Sequence, residues 1–258
     1  MSVLVERRDD AVAVVTIDRQ EALNALNVET LTELRDRLHE LAEDDSARVV
    51  VLTGAGDRAF VAGADIKHMS SLTVLEAREW GGLGHACALL LETMRKPTIA
   101  AINGFALGGG CELALACDLR YASSTARLGQ PEINLGLIPG WGGTQRLARV
   151  CGLGFAKELI LTGRPVDASE AERRGLVNAV YDPAELMQRT LETARLLASK
   201  SPVALAYAKE AANLALQGSH DAGLTQEASL FAMLFSTEDA KEGLAAFAEK
   251  RPPRFVGK

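Results

Sequence analysis

Asn103-Gly104-Phe105-Ala106-Leu107-Gly108-Gly109-Gly110-Cys111-Glu112-Leu113 is the stretch on which the fold turns. A short apolar run, Pro97–Ile102, precedes it and reads as a strand; an apolar helix to about Cys117 follows. Strand, glycine-rich turn and helix together are the signature of an α/β crossover. Three glycines before a helix expose backbone N–H groups at its positive end. Such an end can hold a phosphate or a developing oxyanion; the same glycines would also let the helix pack closely on a sheet. A dinucleotide fingerprint fails because its third glycine would fall on Leu113. A Walker loop fails because no Gly-Lys-Ser/Thr follows.

The pattern extends outward on both sides. Residues 11–17, 48–53 and 118–122 read as further strands, and 28–44 and 74–94 as helices, the first with Leu31, Leu34, Leu38, Leu41 and Ala42 at helical spacing. Residues 54–65, with Gly54, Gly56 and Gly63, read as a structured loop. Beyond about residue 142 the pattern changes: 182–199, 202–217, 220–235 and 237–249 have helical period without a strand between them, and Pro252-Pro253 ends the last helix. The expectation is an α/β fold with a buried, largely parallel sheet over residues 1–195 and a helical C-terminal region over 196–258.

Composition narrows the function classes. The 258 residues are 48% hydrophobic and 24% charged, with a net charge of −6, which argues against a protein built to grip nucleic acid. It does not exclude an anionic small ligand held at a helix end. Cys87, Cys111, Cys117 and Cys151 form no C-x-x-C pair and read as reduced thiols. His39, His68, His85 and His220 have no metal spacing, and His39-Glu40 lacks the second histidine of H-E-x-x-H. Residues 1–8 turn charged at once, unlike a signal peptide, and no run of about 18 apolar residues suggests a membrane span. The expected location is cytoplasmic.

Two carboxylates stand out. Glu112 lies in the first turn after the glycines within an apolar segment, where it either complements the helix dipole or does chemistry. Glu132 lies in Gly129-Gln130-Pro131-Glu132, as a loop ion-pair partner or as a second catalytic carboxylate. Two carboxylates meeting at one water can divide acid and base roles, because like charges at close range split their pKa values. Phe60–Lys67 and Pro139–Leu147 are two more small-residue loops, each leading into a helix.

In this order, Ala-Gly-Ala-Asp-Ile-Lys at 62–67, Asn-Gly-x-Ala-x-Gly-Gly-Gly-Cys-Glu at 103–112, Gly-Gln-Pro-Glu at 129–132 and Pro-Gly-x-Gly-Gly-Thr-Gln-Arg-Leu at 139–147 resemble the enoyl-CoA hydratase (crotonase) family. Asp-Arg-x-x-x-Leu-Asn-Ala-Leu at 18–26, Leu-Thr-Gly at 161–163 and Glu-Gly-Leu-Ala-Ala-Phe-Ala-Glu-Lys-Arg at 242–251 extend the match over nearly the whole chain from about residue 10. The resemblance implies a crotonase-like spiral of ββα units with C-terminal trimerisation helices, and a homotrimer or a homohexamer of two stacked trimers. It implies an acyl-CoA thioester substrate, no nucleic acid, no membrane, no metal and no cofactor, coenzyme A being part of the substrate.

The resemblance also assigns roles. The N–H groups of Ala64 and Gly109 would bind the thioester oxygen. Glu112 and Glu132 would hold one water, Glu112 activating it for attack at the β-carbon and Glu132 protonating the α-carbon, to give a 3-hydroxyacyl-CoA. Ala62, Asp65, Ile66 and Lys67 fall along the coenzyme A path, with Ala22 and Leu23 lining it. Phe231 and Lys250 fall at its adenine end, across a subunit boundary; a solvated helix-end cation is the other reading of Lys250. Trp141 stands where small residues are common in members that act on short chains; it either reshapes the acyl pocket or is a core residue. His68 and Met69 would border the acyl end, and Gln130 would orient its loop. Two readings compete with a hydratase: a Δ3,Δ2-enoyl-CoA isomerase, which needs one carboxylate as proton shuttle, and a non-catalytic acyl-CoA- or RNA-binding relative. The glutamate pair argues against both, and the acidic balance against the second.

Overall fold

The computed structural model describes residues 1–215 and 218–258. β1 (Val3–Arg7) and β2 (Val12–Ile17) pair antiparallel, and α1 (Val28–Glu43) follows. One plan then repeats three times. β3 (Val49–Gly54) is followed by β4 (Ala59–Val61), then by α2 (Ile66–Met69) and α3 (Val74–Thr93). β5 (Thr98–Ile102) is followed by β6 (Phe105–Leu107) and α4 (Gly109–Ala116). β7 (Leu119–Ser123) is followed by β8 (Arg127–Gly129), a 3-10 turn (Pro131–Leu135), α5 (Gly143–Cys151) and α6 (Leu153–Thr162). β9 (Val166–Asp167), α7 (Ala168–Arg173) and β10 (Ala179–Tyr181) complete the strands.

Each repeat gives its first strand to one sheet and its second to another. The six-stranded sheet runs β1-β2-β3-β5-β7-β10, parallel except for β1, and the four-stranded sheet runs β4-β6-β8-β9, parallel except for β9. This is the spiral of ββα units that the sequence led us to expect. The four strands read from the sequence are β2, β3, β5 and β7, each within a residue or two. Among the strands that the sequence reading does not find, β4, β6, β8 and β10 have three residues each and β9 has two, too few to display a period of two. β1 has five, but its apolar run ends at Glu6-Arg7 and it reads only as a charged N-terminal stretch.

Burial explains the helices. Asn27 caps α1 by accepting a hydrogen bond from the Thr30 N–H at 2.9 Å, and Leu31, Leu34, Leu38 and Leu41 form one fully buried stripe. Thr73 and Glu76 form a capping box that starts α3. On the opposite face of the large sheet, Leu186, Leu191, Ala194 and Ala198 of α8 (Leu186–Ala198) pack on Val12, Val14, Val49, Val51, Ile99 and Ala101. α9 (Pro202–Leu214), α10 (His220–Leu234) and α11 (Glu238–Ala248) follow; residues 216 and 217, which the sequence reading includes in the helix 202–217, lie outside the described residues. Lys209 fixes α9 to the core by donating to the carbonyls of Leu91 and Lys96 and pairing with Asp118 at 2.9 Å. Among the described residues, no helix is long and apolar enough to cross a membrane.

Candidate active site

The small sheet builds the site. β4, β6 and β8 lie side by side and parallel, with Val61 opposite Ala106 and Leu107 opposite Gly129. Their C-terminal ends therefore reach one edge, and the segments leaving it are 62–65, 108–112 and 130–132. Ligands of open α/β sheets gather at the carboxyl ends of strands for this reason. The N–H of Gly108 donates to the Gly129 carbonyl at 2.9 Å, which ties the start of α4 to the end of β8.

Glu112 is 1% exposed, on the first turn of α4. Its Oε1 accepts two hydrogen bonds of 2.7 Å, from the N–H groups of Trp141 and Gly143. Burial raises its pKa; these two donors and the nearby Arg146 guanidinium oppose that rise without cancelling it. The donors satisfy the ionised form. Glu132, half-buried in the 3-10 turn, has a different setting. Burial pushes its carboxyl up to about 7; its own N–H opposes the shift and the Glu112 charge adds to it. Gln130 is fully buried and, with its amide nitrogen turned toward Glu132, donates to both carboxylate oxygens at 3.1 and 3.3 Å. A Cβ at Gly108, where φ is +51°, would come within 2.6 Å of Glu132 Oε1, so glycine is required both for the turn and for the approach of the carboxylate.

Two backbone donors lie on the segments that leave the same edge of the small sheet. Gly109 is the first residue of α4, so its N–H has no partner within the helix. Ala64 forms a parallel bridge with Leu26, in which Leu26 N–H donates to Gly63 O and Asp65 N–H to Leu26 O. Among the described residues the Ala64 N–H has no hydrogen-bond partner. The loop 19–26 packs along 62–65, with Ala62 N–H donating to Leu23 O at 3.1 Å, so Ala22, Leu23, Ala62, Ala64 and Asp65 come together. Asp65 caps α2 through the N–H groups of Lys67 and His68 and pairs with Arg19 at 3.4 Å. Ile66 and Lys67 are exposed beside it. Phe231 is 63% exposed on α10 and stacks edge-on with Phe235; Lys250 is exposed at the end of α11. Among the described residues, no hydrogen bond or aromatic contact joins either of them to 62–67.

Trp141 is buried, and its ring lies on two glycines: a Cβ at Gly84 of α3 or at Gly109 would overlap it. Its indole meets Trp80 edge-on at 5.3 Å between centroids, and Trp80 meets His68 at 5.4 Å. This aromatic row runs from Gly109 to the segment just beyond Ala64. His68 Nε2 and Trp80 Nε1 are buried in it without a hydrogen-bond partner among the described residues.

The enoyl-CoA hydratase/isomerase family model matches residues 7–258. The chain belongs to that family. It is 47% identical over 255 residues to a crotonyl-CoA hydratase of Syntrophomonas wolfei, covering 99% of this chain and 98% of the relative. It is 50% identical over 248 residues to a short-chain-enoyl-CoA hydratase of Clostridium acetobutylicum, covering 96% and 95%. The crystal structure of an enoyl-CoA hydratase from Bacillus anthracis superposes with a TM-score of 0.97 at 41% identity over the whole of both chains.

Within this member of the enoyl-CoA hydratase/isomerase family, sequence reasoning missed Gly84 and Trp80. Gly84 and Trp80 read as ordinary positions of a helix, and nothing in their spacing points to Trp141. The site makes a prediction about stability. Glu132 has a folded-state pKa above its unfolded value, so its stabilising protonation is complete below about pH 4.5 and is lost as pH rises through about 7. Glu132→Gln removes that loss. In urea unfolding the variant should gain roughly 1–2 kcal/mol on wild type at about pH 8 and little at about pH 4.5. An equal effect at both pH values would contradict the burial assigned to this carboxyl.

Proposed function

We propose that the chain is an enoyl-CoA hydratase, a hydro-lyase that adds water reversibly to a trans-2-enoyl-CoA. The observation that carries this reading is the pairing of two carboxyls in unlike settings: Glu112 supported as an anion by two N–H donors, and Glu132 raised to about 7 so that it can hold a proton. Near-full-length similarity to a crotonyl-CoA hydratase and a short-chain-enoyl-CoA hydratase supports it. An isomerase would need one shuttle carboxyl and would have no use for this division of roles.

In the mechanism we propose, the N–H groups of Ala64 and Gly109 receive the thioester oxygen. Addition to the β-carbon drives electrons onto that oxygen, and each such donor lowers the barrier by about 3–4 kcal/mol. Glu112 takes a proton from water as the oxygen bonds to the β-carbon. Glu132 gives its proton to the α-carbon as the enolate collapses. One water is consumed and one 3-hydroxyacyl-CoA is formed; no electrons leave or enter, so the step as written balances without a redox group. The proton on Glu112 then returns to Glu132 through solvent. Ala22, Leu23, Ala62, Asp65, Ile66 and Lys67 are proposed as the coenzyme A wall, and Phe231 and Lys250 as contributions from a neighbouring copy.

The oxyanion donors and the aromatic row share Gly109, so we propose that Trp141, backed by Trp80, closes the distal acyl pocket and favours short chains. The C-terminal helices are proposed as the surface of a homotrimer or homohexamer: Phe231, Met233, Phe235, Leu244 and Phe247 are apolar and exposed on α10 and α11. The four free cysteines fit a cytoplasmic setting.

Three outcomes test this function. With crotonyl-CoA, loss of ultraviolet absorbance from the conjugated thioester should accompany turnover, and Glu112→Gln and Glu132→Gln should each lose at least ~100-fold in kcat while still binding coenzyme A ligands. Near-normal turnover in either variant would remove its assigned role, and appearance of conjugation from a 3-enoyl-CoA without hydration would favour the isomerase. Trp141→Ala should raise the kcat/KM ratio of a ten-carbon to a four-carbon enoyl-CoA by about 10-fold or more; an unchanged ratio would place Trp141 outside the acyl pocket. Light scattering should give three or six times the 27.5 kDa chain mass, and a monomer would exclude the proposed assembly.

A further inference from the structure

Arg146 sits on the first turn of α5, with its side chain mostly buried. Its Nε and Nη2 donate to Glu92 Oε2 at 2.9 and 2.6 Å, and its Nη1 donates to the Trp141 carbonyl at 2.9 Å. Glu92 lies in the last turn of α3, and its carbonyl accepts from Asn213 Nδ2 at 3.0 Å. Trp141–Gly143 is the arch whose two N–H groups hold Glu112. The arch is thus gripped from outside by Arg146 and from inside by Glu112. Its middle residue, Gly142, has φ +108°, and a Cβ there would run into Arg146 Nη1. The guanidinium fills the space that a side chain at 142 would need.

We infer that Arg146, braced by Glu92, is a positioning residue for hydration: through the Trp141 carbonyl it fixes the arch that aims and charges Glu112. This rests on the hydratase reading above. Nε and Nη2 converge on one Glu92 oxygen while Nη1 of the same rigid, planar guanidinium holds the Trp141 carbonyl, so a strut anchored on α3 transmits little play to the arch. The groups that act on Glu112 are few. Glu132 faces it from the 3-10 turn and adds like charge only once it has lost its proton, the Cys111 thiol beside it on α4 is held neutral by burial, and Arg146 supplies the positive charge. Removing Arg146 takes away both the cation and the anchoring of two donors. Both losses disfavour the Glu112 anion, so the pH at which the base becomes active should rise.

The test uses the full chain: wild type, Arg146→Gln, Arg146→Lys, Glu92→Gln and, as a distant control, Arg195→Gln, which breaks a surface pair with Asp10 of 2.8 Å. Crotonyl-CoA turnover is followed from about pH 5 to 9, and thermal unfolding is recorded for each. Arg146→Gln should lose roughly 10–100-fold in kcat with KM within about 3-fold, and its acid limb should move up by about 0.5–1 pH unit. Arg146→Lys, which keeps the charge without the fork, should recover most of the limb shift but only part of kcat. Glu92→Gln should fall between Arg146→Lys and wild type, and Arg195→Gln should match wild type. A folded Arg146→Gln with wild-type kcat and acid limb would overturn the inference, as would a loss of kcat that follows the unfolding temperature with no limb shift. If Arg146→Gln does not fold, Glu92→Gln decides by the same criteria. Wild-type protein that fails to hydrate crotonyl-CoA would instead sink the hydratase reading; titration of the Glu112 carboxyl by carbon-13 NMR in the same variants would then still decide whether the strut holds its charge.

Discussion

A carboxyl group that is 1% exposed in an otherwise apolar helix must be met by hydrogen-bond donors, or it will take up a proton and stop being a base. Glu112 meets this demand with two backbone N–H groups rather than with a side-chain cation in direct contact. The choice shapes the neighbourhood. A direct salt bridge would hold the anion too well for it to accept a proton, whereas N–H dipoles stabilise charge without neutralising it. Supplying two N–H groups to one oxygen requires a bent backbone, which explains the left-handed Gly142. That bend in turn has to be held from behind, where Arg146 and Glu92 stand.

The second constraint is alignment. The three groups of the proposed mechanism, the Ala64 N–H, the start of α4 and Glu132, come from separate segments of the sequence. Parallel pairing of β4, β6 and β8 brings their ends to one edge, and three residues per strand suffice because the strands need only set register. The small sheet is itself packed into the main core through Phe60, Val61, Ala106 and Leu128, so its short strands are held rigidly where they place the site. Backbone donors on a rigid frame need little reorganisation as charge develops, which is the condition under which they act most strongly on a transition state.

Legibility in the sequence follows from the length of the signal. The Leu31, Leu34, Leu38 and Leu41 stripe and the buried run Val49–Leu52 are long enough to show their period, so α1 and the central strands can be read directly. The strands β4, β6 and β8 are not readable, since three residues fit loop, strand and turn equally. At the site, the glycines and the two glutamates are conspicuous as residue types, and their ordered motifs point to the family. Glu92 and Arg146 are 54 positions apart, and an acidic residue near the end of α3 looks like any solvated charge. The Gly84–Trp141 contact is equally silent, because shape fit between distant elements leaves no pattern along the chain.

The chain carries a net charge of −6, and the proposed ligand is itself an anion, so a general positive field cannot draw it in. In the proposed mechanism binding depends on local features: the Gly109 N–H at the start of α4 and the Ala64 N–H, which has no hydrogen-bond partner among the described residues. Arg19 and Arg146 are not free to serve as ligand cations, since Asp65 engages the first and Glu92 the second. Both of those arginines therefore hold backbone in place. In the proposed mechanism the charged side chains serve geometry and recognition of the reacting oxygen is left to peptide dipoles. These would face the oxygen on which negative charge forms during addition, so their stabilisation would fall mainly on the transition state.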